Sequence, residues 1–390
     1  MNKVWLDKSG KFESIPSVWA GMGRRRNRGL RVLPKGQGYF VHVTSRTAGR
    51  AFLFGDEEKR VFVGMMRQWA EFSHLAVLTH CIMDNHVHMM LWVPGDLHLD
   101  HQQIKEKLLM VWPEPKVEAW ELAYTLQVKE VQKDMDAAVL ARMGDLSEFM
   151  RVLKQSFTCW YNRTHGRRGT LWDARYRSVV VDNQPLALMA VAAYIDLNPL
   201  RAGIVKDPLD YAWSGYGVAI LGDESARSGL SALMRVAHGQ APLDVMRFHR
   251  KKDFYEKKVA DDPGRISEGE STEKRPAPSW SNVKAFYRLW LVNKGESHAA
   301  NKSLPRKARE RKGMDPAQVL AEYEAMGDVP FNEHLQKKIR SFTQGVAVGS
   351  PGFLEELMRA YPDNFSQNRK CSGISPKVSQ GDWMCLRELD

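Results

Sequence analysis

Two histidines separated by one apolar residue, His86 and His88, form the pattern in this sequence that is best suited to hold a metal ion. They begin HVHMMLWV (residues 86–93), an apolar run typical of a buried strand. Residues i and i+2 of a strand point to the same face, so both imidazoles can reach one divalent ion while Val87 packs on the opposite side. A pair of hydrogen-bonded core histidines would give the same pattern, and the motif alone leaves both interpretations open.

A second candidate group lies in AAYIDLNPLRAG, where Tyr194 and Asn198 are four residues apart and share a helix face. Asn198 can give a carbonyl oxygen to the ion, and Tyr194 would then present its hydroxyl nearby. A phenol is a weak nucleophile near neutral pH. An ion that polarises a phosphodiester would favour attack by Tyr194, which forms a covalent phosphotyrosine and releases a 3′-hydroxyl.

Each of these residues also has a structural interpretation. Tyr194 can be a core aromatic of an apolar helix, and Asn198, which precedes Pro199, can be a plain helix C-cap. Tyr161 is a rival nucleophile because it also ends an amphipathic helix, although His165 stands where an amide would be needed. The hypothesis of catalysis therefore depends on the combination of residues.

The composition favours an anionic partner. The 390 residues carry a formal net charge of +11 and 43% hydrophobic residues, with a pI of about 9.4, which suits nucleic acid binding and a sizeable core. The four cysteines are scattered, which argues against a disulfide framework or a zinc knuckle. No signal peptide or membrane-spanning run is evident, so we expect a cytoplasmic protein without membrane contact.

Secondary structure around the candidate residues can be predicted from periodicity and caps. Asp84 and Asn85 indicate a hairpin turn, Asp56 a helix N-cap, and Asp145 with Glu148 a capping box. The predicted strands are residues 39–46, 75–83, 86–93 and 179–181, and the predicted helices are 57–74, 145–163, 185–198, 280–293 and 316–326, with helical pieces over 117–142.

The same features predict a domain organisation. We expect a basic N-terminal arm over residues 1–37, a catalytic domain over 38–222 with an insertion or connecting region at 94–145, a linker over 223–280 and a mostly helical region over 281–390. The linker is predicted from a shift towards charge, Pro, Gly and Ser. The run KSLPRKARERK (residues 302–312) is a further basic segment.

Candidate DNA contacts cluster in HGRRGTLWDARYRS (residues 165–178), a loop rich in glycine and arginine. Arginine suits phosphate contacts, and Trp172 could either stack on an unpaired base or lie in the core. The candidate phosphate-binding residues are Arg167, Arg168, Arg175, Arg177 and Arg201.

Several segments together resemble the IS200-like, single-tyrosine, histidine–hydrophobe–histidine (HUH) transposases, and within them the REP-associated tyrosine transposases. The matching segments run in order from residue 39 to 216: YFVHVTSR, LFGDEEKRVF, MDNHVHMMLWV, GRRGTLWDARYRS, YIDLNPLRAGIV and DYAWSGY. FTQGVAVGSPGFLEELM and WMCLRELD are similar to the tails of longer members.

The resemblance implies a fold and a set of roles. The fold would be α+β, a mainly antiparallel sheet with helices packed on it, in a ferredoxin-like HUH catalytic domain. His86, His88 and Asn198 would bind Mg or Mn, and Tyr194 would be the nucleophile. The substrate would be single-stranded or hairpin DNA at a repetitive palindrome, and the protein would be a monomer or homodimer. The residues 94–145 and about 170 C-terminal residues exceed a minimal domain of this kind.

Two other classes of function remain as hypotheses. One is a DNA-binding regulator of the same fold that lacks cleavage activity, and the other is a metal hydrolase in which His86 and His88 activate water. Trapping of a covalent protein–DNA adduct distinguishes a tyrosine nucleophile from both.

Overall fold

The computed structural model describes residues 38–95, 97–237, 240, 245, 279–295, 347–360 and 384–386. The fold is α+β, with a mainly antiparallel sheet and helices packed on it, as the sequence predicted. The predicted basic arm (1–37), the basic run 302–312 and the helix 316–326 lie outside the described residues.

The strands and helices follow one another in mixed order along the chain. The strands are β1 (Tyr39–Arg46), β2 (Ala76–Ile82), β3 (His86–Val93), β4 (Arg177–Val181), β5 (Ala347–Gly349) and β6 (Met384–Leu386). The helices are α1 (Asp56–Phe72), α2 (His101–Val111), α3 (Glu114–Thr125), α4 (Lys129–Leu140), α5 (Leu146–Thr164), α6 (Pro185–Asp196), α7 (Asn198–Ala202), α8 (Gly215–Ile220), α9 (Glu224–Ala237), α10 (Trp280–Gly295) and α11 (Pro351–Ala360).

The chain forms two compact units that interleave along the sequence. Among the described residues, the first unit comprises 38–77 and 82–180, and the second comprises 78–81, 181–360 and 384–386. The candidate histidines belong to the first unit, whereas Tyr194 and Asn198 belong to the second.

The strands form one sheet in the order β2, β3, β1, β4, β5 and β6. Strand β1 pairs antiparallel with β3 in a register that sets Thr44 opposite His88 and Arg46 opposite His86. Strands β2 and β3 form the predicted hairpin, and the amide of Met83 donates to the carbonyl of His86 at 2.8 Å to close its turn. The register therefore fixes which side chains surround the two histidines.

An aromatic core joins helices α1 and α5 in this unit. The rings of Phe62 and Phe157 meet edge to face at 5.1 Å, and Phe54 meets Phe157 at the same distance. Asp145 caps α5 as predicted, because its carboxylate accepts from the amides of Ser147 and Glu148. Edge-to-face rings and a satisfied cap both stabilise the helix that leads into the arginine-rich loop.

The region predicted as an insertion (residues 94–145) folds as three helices, α2, α3 and α4. His101 lies at its centre, where it contacts the carboxylates of Asp136 at 2.8 Å and Glu121 at 3.1 Å and stacks on Tyr124 at 3.5 Å. Helix α2 connects to α1 through Gln68, which donates to the carbonyl of Met110 at 2.7 Å.

The second unit surrounds helix α6 with elements from later in the sequence. Trp290 on α10 donates to the carbonyl of Met189 on α6 at 2.9 Å. Before α6, Asp182 donates its amide to Val348 on β5 and accepts from the hydroxyl of Ser350, both at 2.9 Å. The apolar helix that carries Tyr194 is therefore held near its start and along its length.

Helix α9 forms where the sequence predicted the start of a linker. Its buried side chains, which include Leu230, Leu233 and Met234, recur at helical spacing on one face. The helix begins with the polar and small residues ESARSG, whose composition is typical of a linker. The apolar face of the helix was therefore not recognised from the sequence. In the parts of the chain that the structure describes, no helix combines the length and the apolar character needed to cross a membrane.

Candidate functional site

The two histidines of the HUH motif lie side by side on one face of β3. Their ring centroids are 4.9 Å apart, with the planes nearly perpendicular, while Val87 between them is fully buried on the opposite face. His88 is 5% exposed and His86 is half-buried. The period of two along a strand produces this arrangement, and the two imidazoles are brought together as the sequence predicted.

The neighbour of His86 determines which of its ring nitrogens carries the proton. Nδ1 of His86 lies 2.7 Å from Oδ1 of Asn85, while Nδ2 of Asn85 donates to the carbonyl of Arg50 at 3.1 Å. Because an amide oxygen can only accept, Nδ1 of His86 must be the donor. In the neutral ring, Nε2 then carries the lone pair that a metal ion requires.

A third histidine supports His88 from the neighbouring strand. Nε2 of His42 on β1 lies 2.9 Å from Nδ1 of His88, and the two rings are nearly coplanar, with centroids 5.2 Å apart and planes that differ by 10°. The contact again involves the Nδ1 atom of the candidate ligand. Each histidine of the motif thus has its Nδ1 in contact with a protein side chain.

The electrostatic surroundings favour neutral imidazoles on this face. Burial, assisted by the positive charge of Arg46 and opposed by Asp84, lowers the pKa of His86 to about 4. Burial lowers the pKa of His42 to about 3. A neutral imidazole is the form that binds a divalent metal ion, so protonation of His86 does not compete with binding near pH 7.

The donor set on this face does not form a complete protein site by itself. No group of three or more His, Cys, Asp or Glu side chains in the described ranges is arranged to hold a metal ion. Two imidazoles make a half-site that requires further ligands of another type, such as an amide oxygen, a phosphate oxygen or water. The two histidines could therefore supply two of the ligands of a divalent ion.

In the second unit, the side chain of Asn198 packs against the turn that carries Tyr194. Nδ2 of Asn198 donates to the carbonyls of Tyr194 at 2.8 Å and Ile195 at 3.2 Å. These two acceptors fix the orientation of the amide, and the amide oxygen is left as the atom that can serve a metal ion. Helix α6 ends at Asp196, and Pro199 occupies the first turn of the short helix α7.

Arg201 is brought together with Tyr194 in the same unit. Its guanidinium carbon lies 4.8 Å from the centroid of the Tyr194 ring, a cation–π distance. Tyr194, Asn198 and Arg201 are all half-buried. A phenol, an amide oxygen and a permanent positive charge are thus presented within eight consecutive residues (194–201), a combination suited to contacting a phosphodiester.

A buried carboxylate stabilises this turn. Asp196 is 0% exposed, and its oxygens accept from the hydroxyl of Thr79 at 2.9 and 3.0 Å, from the amide of Tyr216 at 3.2 Å and from the hydroxyl of Tyr287 at 2.6 Å. Burial raises the pKa of Asp196 to about 7, although the hydrogen bonds from Tyr287, Tyr216 and Thr79 lower it. The residue between the candidate nucleophile and the candidate ligand is therefore part of a buried network.

The four loop arginines are displayed to solvent. Gly166 and Gly169 adopt positive φ angles of 60° and 89°, and the amide of Asn162 donates to the carbonyl of Gly169 at 2.8 Å. The two positive φ angles and this hydrogen bond fix the backbone conformation of the loop between residues 162 and 169. The exposed side chains are Arg167, Arg168, Arg175 and Arg177.

The sequence left open whether Trp172 stacks on an unpaired base or lies in the core, and in the structure it lies in the core. It is 6% exposed, and Nε1 donates to Thr158 at 3.0 Å and to the carbonyl of Lys154 at 3.2 Å. Its ring contacts Phe54 at 5.8 Å. A ring that is 94% buried cannot stack on an unpaired base, which excludes the stacking role in this structure.

The rival nucleophile Tyr161 is also a core residue. It is 6% exposed, its ring lies 4.2 Å from that of His165, and burial raises its pKa. A buried phenol with a raised pKa is a poorer nucleophile than a half-buried one, so Tyr194 is the better candidate.

Sequence reasoning did not identify His42, Asn85, Asp196 and Tyr287 as parts of the candidate site. The turn signal at Asn85 and the histidine in YFVHVTSR were visible in the sequence, but their contacts depend on the strand register. Tyr287 lies 91 residues beyond the carboxylate that it contacts.

Comparisons with models of protein families and with curated proteins gave no match. A solved structure of a REP-associated tyrosine transposase bound to a REP hairpin resembles this chain with a TM-score of 0.32 and 13% sequence identity, over 52% of this chain and 87% of that chain. The assignment of function therefore depends on the residues and contacts described above.

Proposed function

We propose that this protein is a divalent-metal-dependent, transposase-like enzyme that cleaves and rejoins single-stranded DNA through a covalent bond to Tyr194. The DNA would be a repetitive palindrome that folds as a hairpin. This function combines the sequence resemblance with the chemistry of the two groups of residues, one on β3 and one at the end of α6.

One observation carries the proposal: each histidine of the HUH motif contacts a protein side chain through its Nδ1 atom. Nδ1 of His86 donates to Asn85, and Nδ1 of His88 is in contact with His42. A pair of core histidines would need only to be hydrogen-bonded. Two imidazoles on one strand face, each anchored at Nδ1, are typical of metal ligands whose outer contacts set the tautomer.

We assign the metal ligands to His86, His88 and Asn198 and the metal to Mg or Mn. Mn binds imidazole more readily than Mg, which prefers oxygen, so Mn is the better probe in vitro. When bound, the ion would supply positive charge that polarises the scissile phosphate. The amide orientation of Asn198 supports its assignment, because the nitrogen is already used by two carbonyls.

Tyr194 would supply the nucleophile. Its hydroxyl oxygen forms a bond to phosphorus, the bond from phosphorus to the 3′-oxygen breaks, the phenol loses its proton and the leaving oxygen gains one. The products are a 5′-phosphotyrosine and a free 3′-hydroxyl. A phosphodiester is exchanged for a phosphodiester, so a second 3′-hydroxyl can reverse the step and rejoin DNA without ATP.

Arg201 and the exposed arginines would hold the DNA backbone. The guanidinium of Arg201 lies against the Tyr194 ring, where it can contact the phosphate that the phenol attacks. Arg167, Arg168, Arg175 and Arg177 are exposed, as phosphate contacts require. Trp172 is not included, because its ring is buried.

The proposal is tested with end-labelled hairpin oligonucleotides that carry single-stranded flanks, in the presence of Mn. Wild type should give a denaturation-resistant protein–DNA adduct, whereas Tyr194→Phe should give neither adduct nor cleavage. Tyr161→Phe is the matched control and should retain adduct formation. Cleavage that persists in Tyr194→Phe would indicate a metal hydrolase, and tight binding without cleavage of a library of palindromes would indicate a regulator.

A further inference from the structure

A buried histidine on β1 contacts the candidate metal ligand on β3. His42 is 1% exposed and lies diagonally across the strand pair from His88, because the register sets His42 opposite Met90. Its Nε2 atom is 2.9 Å from Nδ1 of His88, and the planes of the two rings differ by only 10°. The two imidazoles are thus joined edge to edge by one hydrogen bond.

The direction of this hydrogen bond decides whether His88 can bind a metal ion through its other nitrogen. A neutral imidazole has one N–H donor and one acceptor nitrogen. If His42 donates from Nε2, then Nδ1 of His88 accepts and Nε2 of His88 carries the proton, which prevents coordination there. If His88 donates from Nδ1, then Nε2 of His88 carries the lone pair, and His42 must be the acceptor.

We infer that His42 is a positioning residue that accepts from Nδ1 of His88 and thereby holds the Nε2 lone pair of His88 ready for the metal ion. Asn85 performs the same task for His86 through Oδ1. This inference rests on the proposed function in one respect, the binding of a divalent ion by the histidine pair.

His42 supports the ligand and is not a third imidazole ligand. The ring nitrogen of His42 that faces His88, Nε2, is already hydrogen-bonded to Nδ1 of His88. The side chains in the described part of the chain also include no three-residue His, Cys, Asp or Glu cluster that could hold an ion. A hydrogen-bonded partner of a ligating histidine fixes ring orientation and tautomer, and its loss weakens metal binding by about 10- to 100-fold.

Packing alone offers another explanation of His42, and two substitutions separate the two roles. His42→Leu keeps an apolar side chain of similar size in the core but removes the acceptor. His42→Gln places an amide oxygen near the position of Nε2 and can still accept from His88. If His42 acts through its acceptor, Gln should preserve metal binding and Leu should not.

The test is direct Mn²⁺ binding to the full chain without DNA, measured by the loss of the free-ion signal in electron paramagnetic resonance. We expect His42→Leu to raise the apparent dissociation constant by about 10- to 100-fold and His42→Gln to remain within a few-fold of wild type. Val41→Ala is the matched control: it loosens the same strand on the opposite face and should leave Mn²⁺ binding unchanged.

Asn85→Ala provides a second measurement on a half-buried turn that is more tolerant than the core if His42→Leu does not fold. It removes the acceptor of His86 and should also weaken Mn²⁺ binding by at least tenfold. Suppose that Mn²⁺ binding by wild type depends on His86 and His88. Unchanged binding in folded His42→Leu would then overturn the role of His42, and unchanged binding in Asn85→Ala would overturn the role of Asn85. Absence of Mn²⁺ binding by wild type would instead overturn the proposed metal site, and the inference with it.

Discussion

The buried carboxyl of Asp196 should make the stability of the second unit depend on pH. Burial raises its pKa from 3.8 to about 7 in the folded protein. The folded state therefore binds one more proton than the unfolded state between these values, and its stability falls as pH rises through this range. A shift of this size corresponds to about 4 kcal/mol in total, of which about 3 kcal/mol should be lost between about pH 5 and pH 8.

Asp196→Asn isolates this contribution because an amide does not titrate. Its oxygen can accept from the amide of Tyr216, and its nitrogen can donate to the hydroxyls of Thr79 or Tyr287, which are able to accept. Urea unfolding of wild type and variant, measured across this pH range, should show the variant gaining about 3 kcal/mol relative to wild type as pH rises.

Asp173→Asn is the matched control, since Asp173 is an exposed carboxylate in the arginine-rich loop. Its free energy of unfolding should follow the wild-type pH profile. If the free energies of unfolding of wild type and Asp196→Asn depend on pH in the same way, the reasoning is refuted. That result would show that the pKa of Asp196 in the folded protein is close to its ordinary value.

Three further predictions follow from individual contacts. Trp172→Ala should lower the free energy of unfolding by about 3–5 kcal/mol, measured by denaturation, because it empties a core site; a large loss of DNA affinity with unchanged stability would instead show that the ring faces a base. Arg167→Ala and Arg168→Ala should each reduce the slope of log affinity against log salt by about 0.7 in single-strand binding titrations if each contacts one phosphate, and an unchanged slope would remove that residue from the DNA surface. Tyr287→Phe removes a hydrogen bond to the carboxylate of Asp196, so it should destabilise the protein by about 1.5–3 kcal/mol in urea titrations. It should also raise the pKa of Asp196 and thus move the midpoint of the pH dependence of stability upwards. A variant as stable as wild type would show that this contact is not important.

The local elements around the site could be predicted because their signals are local. The apolar run of β3, the Asp84 and Asn85 turn and the Asp145 cap each depend on a few consecutive residues, and the structure confirms all three. The helix that carries Tyr194 ends two residues earlier than predicted, and the chain continues directly into α7. Pro199 lacks a donor, which suits the first turn of a new helix as well as the end of an old one.

The contacts that prepare the site depend on residues distant in sequence. His42 and His88 meet only because β1 and β3 pair in one particular register, and a shift by one residue would place His42 on the opposite face. In the sequence Asp196 is a polar residue near a helix end, a position that is usually exposed. In the structure it is fully buried, and the hydroxyl of Tyr287 is among the groups that contact it. Neither the register nor this burial is encoded in a short pattern.

Trp172 shows how composition can leave two interpretations equally open. An indole among arginines is typical of a base-stacking loop, and it is equally typical of an anchor that holds such a loop to the core. The contacts with Phe54 and Thr158 decide for the anchor. The arginines beside it keep the exposure that the DNA-binding interpretation requires.

The proposed covalent bond between Tyr194 and DNA can be tested by locating the modified residue. Trypsin cuts after Arg177 and Arg201, and the resulting peptide, residues 178–201, contains Tyr194 as its single tyrosine, whereas Tyr161 falls in the peptide 155–163. After reaction with hairpin DNA and Mn, followed by nuclease trimming, mass spectrometry should find the nucleotide on peptide 178–201. Attachment to peptide 155–163, or cleaved DNA with no modified peptide, would contradict the assignment.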